Sequence, residues 1–386
     1  MKVTILSGAS PHSHDGVGDY AWRLGEALQA EHDVSLVVAR GAVAPAARPT
    51  GAVPIHTVSP GWGPRTCREV LDHARSLAPA AVLLQFVPQL FGWHGTKPFL
   101  AALLWRLRRA GIRIVTVAHE FDTPFAPSPA TFARAWTHRL LLRLIVGASH
   151  KVVLTTPYCF ELFARRYPAR RSDFHQIPVG CNLPVVPVTE AERAALRRRL
   201  GIAPGDLVLS TFASPVEPAV SLLGALCRWS TGEGLGIRIL AVGRAGSALR
   251  ERLSRHPEVL ERLVVTGPVS DDQGSRFLSL GDLHAAFYPD GASTRRSSLM
   301  AAFAHGLPVI ANAGLLTDPE LRATGALHLL NGTGAQEDVA GFRRLCRDPG
   351  LRRTLGDRGR ALFAAQFSWE RIGKQHAQVL SEALAP

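Results

Sequence analysis

Residues 287–310 read FYPDGASTRRSSLMAAFAHGLPVI and predict a strand, a loop, a helix and a second strand in succession. The loop contains small and hydroxyl-bearing residues together with Arg295 and Arg296. The helix is predicted over Ser297–His305, and Gly306 ends it before the next apolar run. Free amides at a helix start, hydroxyl groups and guanidinium groups all bind anions. The stretch therefore predicts a β–α–β unit that carries an anion site, and the alternative is a capped surface helix with ordinary arginines.

The same alternation of short apolar runs with helix-length segments continues over the whole chain. In the first half, strands are predicted at Val3–Leu6, Val34–Val38, Ala81–Gln85, Ile112–Val117, Val152–Thr155 and His175–Ile177. In the second half, they are predicted at Leu207–Phe212, Ile237–Val242, Leu263–Thr266, Leu283–Phe287, Val309–Ala311 and Ala326–Leu329. The proline-rich segment Pro178–Thr189 predicts a linker between the halves. We therefore expect two α/β domains with parallel sheets, facing each other across a cleft where ligands bind at the carboxyl ends of the strands.

The composition is that of a globular protein, with 386 residues, 46% hydrophobic residues and 19% charged residues. This apolar fraction excludes disorder as the main state. No uncharged apolar run reaches the roughly 18 residues of a membrane-spanning helix, and no secretory leader precedes the first strand. The five cysteines are scattered without a CxxC pair, which argues against a disulfide framework and a zinc site. The sequence therefore predicts a cytoplasmic protein.

The net charge of +13 comes mainly from arginine, since only four of the 44 basic residues are lysines. Arginine suits phosphate and carboxylate groups, so a nucleotide, an anionic membrane surface and a nucleic acid are candidate partners; an arginine-rich proteome is the alternative explanation. No basic tail, zinc-finger spacing or aromatic-rich RNA-binding strand is present, so we expect no nucleic-acid partner. The helix predicted over Thr131–Gly147 mixes arginines with aromatic and apolar residues. This pattern is typical of helices on anionic membrane surfaces and also of helices packed on a globular domain.

The loop after the first strand ends in His14, Asp15, Gly16 and Gly18. Glycines let a backbone approach a ligand and open a helix whose amides favour anions, although a GxG spacing alone is a weak dinucleotide signal. The run His-Ser-His-Asp at 12–15 has no distant carboxylate to complete a metal site. We therefore expect a solvated or sugar-contacting loop that holds no metal.

Polar residues that follow other predicted strands are further candidates. His119 and Glu120 follow Ile112–Val117, and a histidine there can orient a sugar hydroxyl or accept a proton; a structural histidine is the alternative. Two loops of the second half add residues that are either nucleotide contacts or ordinary turn positions. These residues are Gly243, Arg244, Gly267 and Val269.

Taken in order, these segments resemble glycosyltransferase family 4, whose members have the GT-B fold. The resemblance covers essentially the whole chain. The pieces that carry it are Val3–Leu6 with Gly16–Tyr20, Val115–Glu120, Ile177–Asn182, Gly281–Leu283 with Tyr288–Pro289, Ala304–Ile310 and Phe367–Glu370. It implies two Rossmann-like domains, an acceptor-side domain at 1–183 and a nucleotide-sugar domain at 184–368. A last helix at 369–386 would cross back to the first domain.

The resemblance also implies an activity: transfer of a sugar from a nucleotide diphosphate sugar to an acceptor hydroxyl, with retention of configuration and without a metal or other cofactor. The acceptor would be a saccharide, a lipid-linked saccharide or a small molecule. Independently of the resemblance, we expect a cytoplasmic enzyme, and the basic helix at Thr131–Gly147 leaves open a peripheral location at the inner face of the membrane. His119 would approach the donor sugar and, with Glu120, is the expected catalytic residue, while His14 and Asp15 are expected on the acceptor side.

Two departures from the family pattern bear on donor binding. Ser293 and Ala301 stand where the family usually has paired glutamates, and the loop Thr211–Pro218 lacks the usual Arg and Lys that hold the diphosphate. Because a buried diphosphate needs positive partners, we expect Arg295 and Arg296 to have taken over this role. The residues expected to bind the nucleotide sugar are Gly16, Gly18, Gly243, Arg244, Gly267, Val269, Asp290, Ser293, Thr294, Arg295, Arg296, Ser297 and Ser298.

The missing glutamates leave a second hypothesis open, a catalytically inactive protein of the same fold that binds a nucleotide sugar or has a regulatory role. A third hypothesis is phosphorolysis of a phosphorylated sugar. It is not favoured, because Lys374 is the only lysine of the second half and no lysine is placed for a pyridoxal cofactor.

Overall fold

The computed structural model describes residues 1–11, 15–39, 53–91, 98–120, 129–212, 217–244, 246–330 and 336–385. The chain divides into two compact units, one formed by Met1–Gly180 with Trp369–Pro386 and the other by Cys181–Ser368. Each unit has its own parallel β-sheet. None of the helices in the described ranges is long and apolar enough to cross a membrane. All five cysteines are buried, and none of them is in a disulfide.

The first unit is built on one parallel sheet. Its strands are β1 (Lys2–Ser7), β2 (Asp33–Ala39), β3 (Ile55–Val58), β4 (Ala81–Phe86), β5 (Arg113–Ala118), β6 (Lys151–Leu154) and β7 (Phe174–Gln176). Its helices are α1 (Gly16–Leu28), α2 (Pro64–Leu77), α3 (Pro98–Arg109), α4 (Pro129–Ala148), α5 (Pro157–Arg166) and the last helix of the chain, α15 (Trp369–Leu384). Short 3₁₀ turns lie at Pro88–Phe91 and Pro168–Asp173.

The strand order of this sheet is β3-β2-β1-β4-β5-β6-β7. All six residues of β4 are buried and five of the six in β1 are, which explains why these strands are continuous apolar runs rather than alternating ones. The order changes direction between β1 and β4. The loops after β1, β4 and β5 therefore lie at the edge of the sheet where open α/β sheets bind ligands.

Helix α15 belongs to the first unit although it is last in the chain. It packs against α1 and β5, and Ile372 and Leu380 are fully buried. Two glycines permit the close approach. A Cβ on Gly373 would lie 2.9 Å from the Ala27 Cβ, and one on Gly180 would lie 2.8 Å from the Trp369 ring.

The second unit is also built on a parallel sheet, with the order β10-β9-β8-β11-β12-β13. Its strands are β8 (Leu207–Thr211), β9 (Ile237–Ala241), β10 (Leu263–Val265), β11 (Leu283–Ala286), β12 (Val309–Asn312) and β13 (Leu327–Leu330). Its helices are α6 (Glu190–Arg199), α7 (Glu217–Gly232), α8 (Gly246–Arg252), α9 (Pro257–Leu260), α10 (Asp271–Leu278), α11 (Ser297–Ala304), α12 (Pro319–Ala323), α13 (Gln336–Arg347) and α14 (Pro349–Leu362). A π-helical turn, Phe363–Phe367, follows α14.

The structure confirms the predicted fold class, two Rossmann-like units with parallel sheets. Residues 287–310 do form a β–α–β connection, from the end of β11 through α11 into β12. The segment Pro178–Thr189 contains no helix or strand. The structure adds one strand, β3, and five helices that the sequence pattern did not predict, namely α7, α8, α9, α10 and α12. β3 has four residues of which one is fully buried, so its apolar pattern is too short and too weak to identify.

Candidate active site

The loop before α1 places two of the predicted glycines and Asp15. Asp15 is the N-cap of α1, and its Oδ1 accepts hydrogen bonds from the amides of Val17, at 2.8 Å, and Gly18, at 3.3 Å. Gly18 packs against the carbonyl of Ser10 so closely that no side chain would fit, whereas Gly16 has open space around it. The Asp15 carboxylate is therefore already used in stabilising the helix start. His14 lies outside the described residues.

His119 follows β5 and is tied to β4 in two ways. Its backbone amide donates to the carbonyl of Phe86 at 3.0 Å, and its Nε2 lies 2.8 Å from Oε1 of Gln85. Gln85 is fully buried, and its Nε2 has no hydrogen-bond partner in the described part of the chain. Glu120, the next residue after His119, is exposed. The predicted catalytic pair thus sits at the carboxyl end of β5, with one member fixed by a buried amide.

Behind His119 lies a neutral, buried pair. The Tyr20 ring meets the His119 ring edge-on, with centroids 4.7 Å apart, and the Tyr20 hydroxyl lies 2.9 Å from Nε2 of His376. Burial raises the pKa of Tyr20 and lowers the pKa of His376 to about 3, because a desolvated site disfavours the charged form of each. Both groups are therefore uncharged at neutral pH and support His119 without adding a charge.

In the second unit, the loop before α11 brings the two predicted arginines together on one carboxylate. Arg295 donates from Nη2 to Oδ2 of Asp290 at 2.6 Å, and Arg296 donates from Nη2 to Oδ1 of the same residue. The three side chains are 19–25% exposed. Asp290, which the sequence analysis places among the residues expected to bind the nucleotide sugar, is the counterion of both arginines in this structure. The three groups together carry a net charge of +1.

Two buried donors of this loop are left without a partner among the described residues, Nε of Arg296 and Oγ of Ser293. The Arg296 guanidinium stacks on the Tyr288 ring at 4.8 Å from its centroid, and the Tyr288 hydroxyl lies 2.7 Å from Oγ of Ser298. Ser297 Oγ accepts from the amide of Asn182 at 3.1 Å. An unpaired buried donor costs about 1–3 kcal/mol, so a ligand oxygen that reached either donor would recover part of this cost.

Asp318, just before α12, holds the same loop from behind. The Thr294 amide donates to its Oδ2 at 2.5 Å, and its Oδ1 has no partner in the described ranges. The side chain is 2% exposed, and burial raises its pKa to about 6. Asp318 therefore connects the loop before α11 to the loop after β12.

The glycine loops after β9 and β10 meet each other. Gly243 and Gly267 form an isolated antiparallel bridge, and the Gly243 amide donates to Oγ1 of Thr266 at 3.0 Å. Their φ angles, +90° and +71°, favour glycine at both positions. Arg244 is exposed and Val269 is partly buried. Since the sheet is parallel, these residues lie at the same edge as the loop after β11.

Sequence reasoning missed four residues of this arrangement, of which only Gln85 and Asp318 had a weak signal. Gln85 is a lone polar residue in the apolar strand AVLLQF. Tyr20 and His376 are 356 residues apart, so nothing local pairs them. Asp318 precedes a proline, as a helix N-cap does, yet its side chain makes no capping hydrogen bond and binds Thr294 instead.

Comparison with known proteins gives the family and the fold. The model of Glycosyltransferase Family 4 matches residues 14–183, whereas no curated protein matches the chain in sequence.

Solved structures match over nearly the full length. A sucrose-phosphate synthase from Thermosynechococcus elongatus has a TM-score of 0.73 at 18% identity, covering 99% of this chain and 98% of that one. Anabaena HepE in complex with UDP has a TM-score of 0.69 at 16% identity, covering 99% and 100%. The catalytic domain of Starch Synthase IV from Arabidopsis thaliana, bound to ADP and acarbose, has a TM-score of 0.70 at 14% identity, covering 100% and 99%.

The family-model match confirms the recognition made from the motifs and with it the prediction that the chain is a glycosyltransferase. At these identities the structural matches show the fold alone. Residues 14–183 therefore match glycosyltransferase family 4, and the whole chain has the GT-B fold of two Rossmann-like domains.

Proposed function

We propose that the protein transfers a sugar from a nucleotide diphosphate sugar to an acceptor hydroxyl, with retention of anomeric configuration and without a metal ion. The observation that carries this proposal is the arginine pair, Arg295 and Arg296, on the loop between β11 and α11. The solved HepE and Starch Synthase IV structures hold UDP and ADP respectively, which supports a nucleoside diphosphate as the leaving group here.

The charges and donors of this loop suit a diphosphate. Asp290 uses one Nη2 of each guanidinium, so each arginine keeps further N–H groups for phosphate oxygens. The buried Nε of Arg296 and Oγ of Ser293 would gain partners on binding, and the amides that open α11 favour negative charge. Stabilising the charge that develops on the departing diphosphate would then lower the barrier to transfer. No metal is needed for that charge in this proposal.

His119 would orient a hydroxyl of the transferred sugar, and the Gln85 contact would fix its tautomer. Glu120, exposed beside it, would contact the acceptor or the sugar. A saccharide, a lipid-linked saccharide or a small molecule would serve as acceptor. A lipid-linked acceptor would be met by a cytoplasmic enzyme at an anionic membrane surface.

One observation favours a second candidate function, a nucleotide-sugar-binding protein without catalysis. Ala301, on the buried side of α11, stands where the family usually has the second glutamate and cannot hold a ribose hydroxyl. The donor would then be bound by the arginine loop alone, and no transfer would follow.

A thermal-shift screen with UDP, GDP, ADP and dTDP sugars tests the proposal. A donor at about 100 times its Kd stabilises the native state by about 2.7 kcal/mol, which raises the unfolding midpoint. The double variant Arg295→Ala/Arg296→Ala should lose at least two charge-assisted hydrogen bonds, each worth about 1.5–3 kcal/mol, and so weaken binding more than about 100-fold. The variant Arg353→Ala, at an exposed arginine elsewhere in the second unit, is the matched control.

Transfer or hydrolysis of the donor that binds is then measured. Turnover with retained configuration in the presence of a chelator supports the proposal. Binding without turnover for every donor favours the second candidate. If no donor shifts the midpoint, or if the double variant binds like the control, the proposal is wrong.

A further inference from the structure

Helix α4 is apolar on both of its long faces. Its inner face is buried and includes Ala135, His138, Leu141 and Ile145. Its outer face carries Phe132, Trp136, Leu140 and Leu144, which are 53%, 58%, 58% and 41% exposed. These four residues are spaced four apart and so form one continuous row on the helix surface, called here the α4 stripe. A surface helix normally turns polar residues to solvent, so a row of large apolar side chains on the outer face of α4 needs an explanation.

The surroundings of the α4 stripe extend its apolar area. Trp105 of α3, 38% exposed, lies over the end of α4, with its Cζ2 at 3.5 Å from the position of a Cβ on Gly147. Tyr158, at the start of α5, is 37% exposed. Most of the large apolar side chains exposed in the described part of the chain lie on α3, α4 and α5. An apolar surface gathered in this way usually marks an interaction site.

The charged side chains that line the concavity beside the α4 stripe are all positive. Arg139, Arg143 and Arg166 line a concavity of 660 Å³ together with Trp136, Thr137, Leu140 and Tyr167. The sequences of α3 and α4 contain no aspartate or glutamate. Between Asp72 and Glu161 the chain has ten lysines and arginines and two acidic residues, Glu120 and Asp122. The occupant of this surface must therefore offer apolar area and negative charge together.

We propose that the α4 stripe docks the protein on an anionic lipid bilayer. Phe132, Trp136, Leu140 and Leu144 would enter the boundary between headgroups and acyl chains, and the arginines beside them would bind lipid phosphates, as basic amphipathic helices do at interfaces. A second copy of this chain fits less well, because a two-fold contact through this face would bring two surfaces rich in arginine against each other. The proposal goes beyond glycosyl transfer, and its test needs no active enzyme.

Co-sedimentation of the full chain with vesicles tests the proposal. Phosphatidylcholine vesicles that contain phosphatidylglycerol should bind the protein at low salt and release most of it at high salt, while vesicles of phosphatidylcholine alone should bind little. Arg143→Ser/Arg166→Ser, at two exposed arginines, should weaken binding roughly fivefold per arginine. Trp136→Ser/Leu140→Ser should weaken it at both salt concentrations. These side chains are exposed, so each variant should keep the unfolding midpoint of the wild type.

The matched control is Val185→Ser/Arg322→Ser, which removes an exposed apolar residue and an exposed arginine of the second unit and should bind like the wild type. Lipids with brominated acyl chains report insertion, because they should quench the fluorescence of the wild type more than that of Trp136→Phe. Equal binding to neutral and anionic vesicles, no binding to either, or wild-type binding by the stripe variants would overturn the proposal. A lipid-free dimer that Trp136→Ser/Leu140→Ser abolishes would show instead that a second copy covers the stripe.

Discussion

Nε2 of His119 and Oε1 of Gln85 lie 2.8 Å apart. An amide oxygen only accepts hydrogen bonds, so this contact places a proton on Nε2 of the imidazole. Gln85 is fully buried on β4, and its place in the strand fixes the direction of its side chain. Gln85 therefore holds the His119 ring with Nε2 as a hydrogen-bond donor.

The variant Gln85→Leu should lower kcat with a smaller effect on KM. Leucine fills the buried site but accepts no hydrogen bond, so His119 loses the partner that sets its tautomer and orientation. Loss of such a partner costs about 1–3 kcal/mol, and the same order is expected in the activation free energy. Steady-state kinetics with the donor found in the thermal-shift screen measure the split between kcat and KM.

A double-mutant cycle shows whether Gln85 acts through His119. In the background His119→Ala, the further change Gln85→Leu should have little effect on kcat. Equal losses of activity with and without His119 would mean that Gln85 contributes to the fold of β4 and not to the position of the imidazole. The unfolding midpoint of each variant provides the structural control.

The Tyr20–His376 pair predicts an unusual pattern of stabilities. Tyr20→Phe removes the hydroxyl that lies 2.9 Å from Nε2 of His376, and Nδ1 of that histidine already has no partner in the described part of the chain. The single variant should therefore lower the free energy of unfolding by about 1–3 kcal/mol. The double variant Tyr20→Phe/His376→Leu leaves no unpaired polar atom and should be more stable than Tyr20→Phe. Thermal or denaturant unfolding measures these free energies of unfolding. If the two substitutions lower the free energy of unfolding additively, the pairing of Tyr20 with His376 is contradicted.

Acid should destabilise the fold through two buried histidines, His376 in the first unit and His284 in the second. Burial lowers the pKa of each to about 3, whereas an unfolded histidine titrates near 6.5. Between these values the unfolded chain binds protons that the folded chain excludes, so stability is full above about pH 6.5 and falls as the pH falls.

Unfolding midpoints measured from pH 8 to pH 4 check this pH dependence. The double variant Tyr20→Phe/His376→Leu has one buried histidine fewer and should lose less stability over that range than the wild type. An unchanged pH dependence would show that His376 is protonated in the folded protein or contributes nothing to acid unfolding.

A structural feature could be predicted from the sequence when the residues that form it are close together in the chain. The β–α–β connection at 287–310 was predictable because strand, loop, helix and stop signal are local and consecutive. The neighbours Arg295 and Arg296 were predictable as a pair for the same reason. Their sharing of Asp290 lies within the same loop but depends on the loop conformation, which the sequence pattern does not specify. The contact of Tyr20 with His376 and the contact of Asp318 with Thr294 required coordinates because each joins segments that only tertiary structure brings together.

The shared carboxylate of Asp290 gives opposite predictions for two roles of that residue. If Asp290 is the counterion of Arg295 and Arg296, an entering diphosphate competes with it for the guanidinium groups. Asp290→Asn should then tighten binding of the nucleoside diphosphate by about 1 kcal/mol, the order of a partly exposed ion pair. Isothermal titration of the wild type, Asp290→Asn and Arg295→Ala/Arg296→Ala measures the three affinities.

Asp290 could instead hold a hydroxyl of the transferred sugar. In that case Asp290→Asn should weaken binding of the nucleotide sugar and leave binding of the nucleoside diphosphate nearly unchanged. Glu337→Gln, which removes an exposed negative charge at the start of α13, controls for the change in net charge. The dependence of binding affinity on ionic strength distinguishes the two roles further. The counterion role predicts a steeper loss of affinity with rising ionic strength in Asp290→Asn, because the freed arginines carry one more unbalanced positive charge. An unaltered salt dependence would contradict the counterion role.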